Sequence, residues 1–320
     1  MNKYQKISKN ISRLKIDNPA TKDKELYWTN VVNPLKKELK YLRDKYKFNF
    51  SYLEMSSAKS TAQRPIVVEE KDYIFMILHF PILKNKNIIA TELDFFIGSN
   101  YLITLHQDIK PMNDFFNLAK KDGESLISYN FESPAALLYE LLTRLMQDTF
   151  SLLDINNKAI TDVEEIIFSE NQKQAASQIL TVRRNFINIR RIMQTHKAVI
   201  KKLMSAESHL VGKELKLYYD KLVNNSKNIW EILENQKEMI DALQNTNESM
   251  LNYQISNIMK TLTLFSVIVY PLTLFASVFG MNTVKSMPLI DHPYGFWLIM
   301  VMMVLASSIM IFYFKKKKWL

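Results

Sequence analysis

Asn282 stands near the end of an uncharged run, Thr261 to Val284, and follows Gly280 and Met281. Its amide oxygen accepts hydrogen bonds, and a glycine beside it leaves a backbone carbonyl accessible. No Asp or Glu lies within that run. Direct coordination of a stripped hard cation calls on carboxylates, so this set of groups suits an ion that keeps its water shell. Approaching and inside the same run, Ser256, Met259, Thr263, Ser266, Tyr270, Thr273 and Ser277 recur in steps of 3 or 4 and form one face of a helix. Small and hydroxylated residues also pack helices together in membranes. The stripe alone leaves packing and pore lining equally open; the Gly-Met-Asn triplet at its end favours a wall facing water.

Two elements must position these groups. The run around Thr261–Val284 and a second uncharged run, Tyr294 to Phe314, are each long enough to cross a bilayer, which takes about 20 apolar residues. They predict spans over about 258–280 and 294–314, joined by a short loop, with both chain ends on one side. Lys260 precedes the first span and Lys315 to Lys318 follow the second, which places both termini and the large N-terminal part in the cytoplasm, in a cytoplasmic (inner or plasma) membrane. The loop Met281–Pro293 then faces outward. Pro271 frees a carbonyl one turn earlier, giving either a kink or an oxygen turned toward a lumen. The second span, rich in Met, reads as lipid-facing.

The chain has 320 residues, a net charge of +10 and no cysteine, so disulfides, thiolate metal sites and cysteine nucleophiles are excluded. Its polar start, Met1 to Lys15, lacks the apolar core of a signal peptide. The basic charges are dispersed without a recognition motif, which argues against nucleic acid as a partner. No phosphate-binding loop appears and the five histidines show no metal-ligand spacing, so an enzyme is not expected.

Residues 64–105 read as strands: Ile66–Val68, Tyr73–Leu83, Ile88–Ile97 and Tyr101–Leu105, with turns at Lys84–Asn87 and Gly98–Asn100. Thr91–Phe95 alternates as a half-buried strand does. Residues 21–44 look mostly helical. Ser133-Pro134 is a helix start, followed by a stripe from Leu137 to Ile167. A second helical stretch, about 173–204, interleaves Arg183, Arg184, Arg190, Arg191, Lys197, Lys201 and Lys202 with its apolar stripe, as a solvated basic face or as contacts to anionic lipid. A third helical region begins after Gly212 and meets no strong breaker before Pro271. From Leu215 to Gly280 it would be about 100 Å long, which no monomer buries on both sides, so self-association is expected. Ile229, Leu233, Ile240, Leu243 and Met250 recur near bundle spacing within it. The resulting organisation is an N-terminal α/β domain over 1–132, a long-helix stalk region over 133–255 and a two-span membrane domain over 256–320.

At this point the chain resembles the CorA-type magnesium transporters. The resemblance rests on Gly280-Met281-Asn282 ending the first of two C-terminal spans, on Tyr270-Pro271-Leu272-Thr273, on the terminal Lys315–Leu320, on Arg64-Pro65 and on Glu92-Leu93-Asp94-Phe95-Phe96. It implies an α+β cytoplasmic domain followed by a long helical stalk and two C-terminal transmembrane helices, assembled as a homopentameric funnel in membrane lipid. Five first spans would line one pore, with Gly280, Met281 and Asn282 as selectivity filter and Met259 and Leu262 as apolar constrictions able to close by dewetting. Mg2+ would be both the transported and the regulatory ion, driven inward by the membrane potential. The sensing acid would be Asp220 in Tyr218-Tyr219-Asp220, which lacks the family's arginine, with Glu54 as a second acid. The loop departs from the family pattern: Met287-Pro288-Leu289 stands where an acid is common, Lys285 lies close after Asn282, and Asp291 is its one acid. Zinc, cobalt or nickel transport by the same fold is the near alternative, and a two-span membrane scaffold or sensor the distant one.

Overall fold

The computed structural model describes residues 3–16, 25–56, 64–121, 133–169, 172–205, 216–281 and 292–319. They form two compact units, Met1–Gln244 and Asn245–Leu320.

The first unit is built on a seven-stranded sheet of order β1-β2-β3-β7-β6-β5-β4. The strands are β1 (Lys3–Lys6), β2 (Ile11–Ile16), β3 (Leu26–Val32), β4 (Ile66–Glu69), β5 (Tyr73–Lys84), β6 (Asn87–Gly98) and β7 (Tyr101–His106). All neighbours pair antiparallel except β3 and β7, which run parallel with Tyr27 opposite Tyr101. The four strands expected between residues 64 and 105 are all present. The helical expectation over 21–44 is corrected: Leu26–Val32 is a strand, and only α1 (Lys36–Tyr46) is helical there. Leu-Tyr-Trp-Thr-Asn-Val-Val is β-branched and aromatic, and its parallel pairing with β7, some 75 residues away, outweighs the helical spacing of its surroundings.

The long hairpin β5–β6 turns on Asn85 and Lys86, both with positive φ (50° and 64°), as a two-residue hairpin of matching twist requires. At the next turn, a Cβ on Gly98 would lie 2.2 Å from the Tyr101 ring, so only glycine fits. Side chains on β5 alternate between two cores. Ile74, Met76, Leu78 and Phe80 enter one, with Trp28 and residues of the later helices; Tyr73, Phe75 and Ile77 enter the other, with Leu42, Phe48 and Leu53. Both faces of the sheet are therefore covered. That corrects the half-buried reading of Thr91–Phe95: Asp94, expected on a solvated face, is 3 % exposed.

Helix α1 and the short α2 (Phe50–Met55) cover one face. The other is covered by α3 (Lys110–Lys121), α4 (Pro134–Phe168), α6 (His196–Met204) and the start of α7 (Lys216–Phe279), with α5 (Gln172–Met193) against β5, β6 and α4. Helix α4 starts as expected: the Ser133 hydroxyl oxygen accepts from Ala136 N–H (3.1 Å) and Pro134 opens the first turn. The apolar stripes of α4 and α5 are buried throughout.

The basic side chains of α5 are more than a solvated face. Arg183 donates to Gln244 (2.9 Å), Arg184 to Asn87, and Arg190 pairs with Glu234 (3.1 Å) beside the Trp230 ring. Asn185 and Asn188 bond the backbone of Ile88 at 3.0 and 2.8 Å, fixing the hairpin tip to α5.

Ile229, Leu233, Ile240 and Leu243 of α7 are buried within this single chain. The seam read along α7 is thus occupied by the subunit's own helices. A buried polar pair keys it: Asn156 Nδ2 donates to Gln236 Oε1 (3.0 Å), and Gln236 Nε2 donates to the Leu153 carbonyl (2.8 Å). Gln236→Ala strands buried polar groups on α4, so unfolding of the full chain should become easier by about 1–3 kcal/mol. An unchanged denaturation midpoint would mean that the pair is dispensable.

The second unit holds the remainder of α7, which continues as a helix through Pro271, and α8 (Gly295–Lys316). Both carry apolar windows long enough to cross a membrane. Large apolar side chains are exposed around α8, including Phe296, Trp297, Leu305, Ile309 and Phe312. Surface of this kind needs lipid or other helices to cover it.

Candidate functional site: one face of the first span

Ser256, Met259, Thr263, Ser266, Tyr270, Thr273 and Ser277 all lie on α7. At 100° per residue they fall within about 100° of arc. On the opposite side of the helix Leu264 is buried and Ile268, Leu272 and Phe279 are half-buried, while Thr261 and Phe275 on that side are exposed. Met259, Leu262 and Tyr270 on or beside the stripe are 56, 57 and 73 % exposed. Every member of the stripe except the half-buried Ser266 is exposed in the single chain.

Three hydroxyls on this stripe are oriented by their own helix. Thr263 Oγ1 donates to the Met259 carbonyl (2.8 Å), Ser266 Oγ to the Leu262 carbonyl (2.8 Å) and Thr273 Oγ1 to the Val269 carbonyl (2.9 Å). Each hydroxyl has one proton, and here it is committed to the backbone. What remains facing outward is oxygen lone pairs, which accept hydrogen bonds and repel anions. Pro271 lacks an N–H, so the Val267 carbonyl one turn below loses its usual donor and is a further acceptor.

The helix ends at Phe279. Gly280 N–H still bonds the Ala276 carbonyl (2.9 Å), and Met281 N–H bonds the Val278 carbonyl (3.3 Å). A Cβ on Gly280 would lie 3.0 Å from the Ala276 oxygen, tighter than normal contact. Gly280→Ala therefore forces the last turn to shift by a few tenths of an ångström. Met281 is exposed. Asn282, Lys285, the Met287–Leu289 segment and Asp291 lie outside the described residues.

The two acids considered for sensing are not brought together in one chain. Asp220 is exposed on the first turns of α7, and the adjacent Tyr219 is fully buried, donating to the Ala135 carbonyl (2.7 Å). Glu54 is exposed on α2. Tyr219 packs into the core on one face of the sheet and Leu53, beside Glu54, into the core on the other. The two acids therefore sit on elements that cover opposite faces of the sheet. Tyr219 occupies the place of the arginine in the family's stalk motif, and its role is helix packing. Among the described residues, no group of three or more His, Asp or Glu side chains could hold a metal ion.

Sequence reasoning missed the buried polar groups. Neither ring nitrogen of His196 has a hydrogen-bond partner; the ring stands edge-on to Phe80 at 4.8 Å, and burial lowers its pKa to about 4 despite the nearby carbonyls of Ile192 and Met193. His106 is held neutral differently. Its Nδ1 accepts from Ile109 N–H (3.1 Å), so Nε2 carries the proton and donates to Asn30 Oδ1 (2.9 Å). Burial lowers its pKa to about 4 as well, against a small opposing pull from Asp108. No local signal marks either histidine, because the neighbours that bury them are far away in sequence.

Comparison with known proteins fits this architecture. The chain is 24 % identical over 315 residues to the cobalt/magnesium transport protein CorA of Methanocaldococcus jannaschii, covering 96 % of this chain and 95 % of that protein. It is 26 % identical over 279 residues to the protein of that name from Thermotoga maritima, covering 85 % and 78 %. The complete structure of the M. jannaschii CorA magnesium transporter superposes with a TM-score of 0.82 at 22 % identity, over 92 % of each chain, so the fold is shared. The profile described as CorA-like Mg2+ transporter protein matches residues 23–316, nearly the whole sequence, and the chain belongs to that family.

Proposed function

We propose that this protein moves hydrated divalent cations, magnesium foremost, into the cell along the Ser256–Ser277 face of α7. Five copies surround one axis in the cytoplasmic membrane, with both termini in the cytoplasm. The observation that carries this reading is a stripe on which Thr263, Ser266 and Thr273 spend their hydroxyl protons on the helix backbone. Its lone pairs accept from the waters of a hydrated ion, which magnesium keeps readily. Gly280, Met281 and Asn282 form the filter, where the amide oxygen of Asn282 accepts from coordinated water. Met259 and Leu262 are wide apolar side chains that can close the lumen by dewetting. The inside-negative potential supplies about 2.3 kcal/mol per charge per 100 mV, hence roughly twice that for a divalent ion.

The test is growth of a magnesium-uptake-deficient strain at low magnesium. Rescue by the wild type and not by Thr263→Val/Thr273→Val supports the reading. Equal rescue by that variant removes the stripe from the pathway, and rescue by zinc or cobalt alone reassigns the ion.

Feedback follows from the charge on Asp220. Magnesium bridging carboxylates at a subunit interface stabilises whichever state brings them together, and that closed state then gains population as cytoplasmic magnesium rises. Asp220→Lys should give a closed-biased transporter whose flux no longer responds to magnesium. Asp220→Ala should lose the response without that bias. Wild-type inhibition by millimolar magnesium in both variants would make Asp220 an ordinary surface acid.

A further inference from the structure

We propose that the C-terminal end of α8 is a clamp for the headgroups of anionic phospholipids. Such a clamp requires α8 to cross a membrane and does not depend on which ion the first span carries. The helix ends in a hook. Lys318 N–H bonds the Lys315 carbonyl (3.1 Å), and Trp319 N–H reaches back five residues to the Phe314 carbonyl (2.9 Å). Lys318 has φ 56°, in the left-handed region. This pair of bonds is a common way to end a helix, with glycine the usual residue at the left-handed position. A lysine there carries a Cβ clash that glycine avoids. The turn reverses the chain, and the Trp319 ring stacks on Phe314 with centroids 6.0 Å apart and 17° between the planes. Phe314 is buried, while Trp319 keeps 51 % of its surface exposed.

Lys315, Lys316, Lys317 and Lys318 are all exposed around this hook. The first three are spaced by about 100° about the helix axis, so the ammonium groups form a crown rather than a one-sided patch. No Asp or Glu occurs in residues 292–320, and no ion pair among the described residues uses any of the four lysines. The crown stands at the end of a helix whose apolar window is long enough to cross a membrane. It therefore meets the layer where lipid phosphates lie. Lysine stems lie along apolar surface while their ammonium groups turn to that layer. A polybasic segment directly after a span attracts anionic lipids. Tryptophan favours the same layer, with an apolar ring body and a polar N–H.

Charge alone sets topology and complements the helix dipole, and neither needs a fixed turn. What the hook adds is position. A chain that ran straight on would carry Trp319 past the last turn into water. Folded back on Phe314, its ring stays at the level of the lysine stems. Trp319 thus sets the depth of the clamp, and the lysines supply its charge. The occupant is an anionic phospholipid of the surrounding bilayer, held by its phosphate.

Spin-labelled lipids test this on the full-length protein reconstituted in phosphatidylcholine vesicles. The motionally restricted fraction of labelled phosphatidylglycerol is compared with that of labelled phosphatidylcholine. The wild type should prefer phosphatidylglycerol by about fivefold, and the preference should shrink as salt is raised. Replacing all four lysines by glutamine should bring the ratio close to one. Lys318→Gly and Lys318→Val remove the same charge, but only glycine adopts the left-handed turn readily, so the valine protein should show the weaker preference. Equal ratios in those two variants would overturn the role of the hook. A wild-type ratio near one would overturn the clamp, as would a wild-type ratio in the fourfold variant or displacement of the labelled lipid by inorganic phosphate. Restricted lipid without headgroup preference would overturn the clamp and still leave α8 in the membrane, whereas no restricted lipid at all would remove both.

Discussion

Replacing Asn282 by alanine should reduce magnesium uptake on the order of a hundredfold or more while leaving the assembly intact. The reasoning is chemical. A hydrated dication presents strongly polarised water hydrogens, and each hydrogen bond from them to an amide oxygen is of the charge-assisted kind, contributing about 1.5–3 kcal/mol. In the proposed assembly around one axis, one substitution would remove every copy of that acceptor at once. The filter stretch Thr261–Val284 holds no acid that could take over. Alanine keeps the backbone conformation open to the same choices, so folding and oligomerisation should persist; size-exclusion elution at the wild-type position checks that. Uptake at the wild-type rate in a correctly assembled variant would remove Asn282 from the selectivity step.

The second large effect concerns acid stability. His106 and His196 are both held neutral in the fold, with pKa values lowered to about 4, while in the unfolded chain an imidazole titrates near 6.5. Between those limits the unfolded state binds protons that the folded state does not. Each histidine's contribution is complete above pH 6.5, falls as pH drops and is fully lost near pH 4, a loss on the order of 3 kcal/mol apiece. Asp94 works in the opposite direction, because its folded form holds a proton that the unfolded chain releases above about 3.9. It opposes the histidines' loss on acidification.

His196 is the cleaner test, since its ring makes no hydrogen bond that a substitution would sacrifice. His196→Leu keeps similar volume against Phe80 and removes a titration. Relative to its effect at neutral pH, it should make unfolding at pH 5 harder by about 2 kcal/mol, the linkage of 1.5 pH units. Denaturant titrations of the two proteins at pH 7 and pH 5 give that difference directly. Parallel pH dependence in the two would show that His196 titrates normally.

What was legible in the sequence was local. The apolar runs, the β-branched and aromatic stretch Tyr73–Leu83 and the Ser133-Pro134 start each declare themselves within a few residues, and each is in the structure. The stripe from Ser256 to Ser277 was readable as a face, although its alternative of helix packing was equally readable. Leu26–Val32 was not legible as a strand, because its partner β7 lies about 75 residues on and parallel pairing leaves no turn signal. Asp94 alternates with apolar neighbours as a surface residue does; only the docking of α2 across that face buries it. The Asn156–Gln236 key joins residues 80 apart in sequence, so no local pattern announces it. Side-chain proton direction was invisible as well: that Thr263, Ser266 and Thr273 point lone pairs outward follows from helix geometry that residue types alone do not supply.

In the proposed pathway Lys285, close after Asn282, would repel cations, and Asp291 is the one acid in that loop. Lys285→Glu should raise apparent magnesium affinity at low ionic strength, with the gain shrinking as salt screens it over about 10 Å at 0.1 M. A gain independent of salt would mean that the lysine acts by contact and not through its field.

The most direct measurement is ion uptake into proteoliposomes reconstituted with the purified full-length chain and held at a set inside-negative potential. The account predicts magnesium entry that exceeds protein-free vesicles, steepens with the imposed potential and collapses in Asn282→Ala. Vesicles that hold folded protein yet take up magnesium, cobalt and zinc no faster than lipid alone would contradict it.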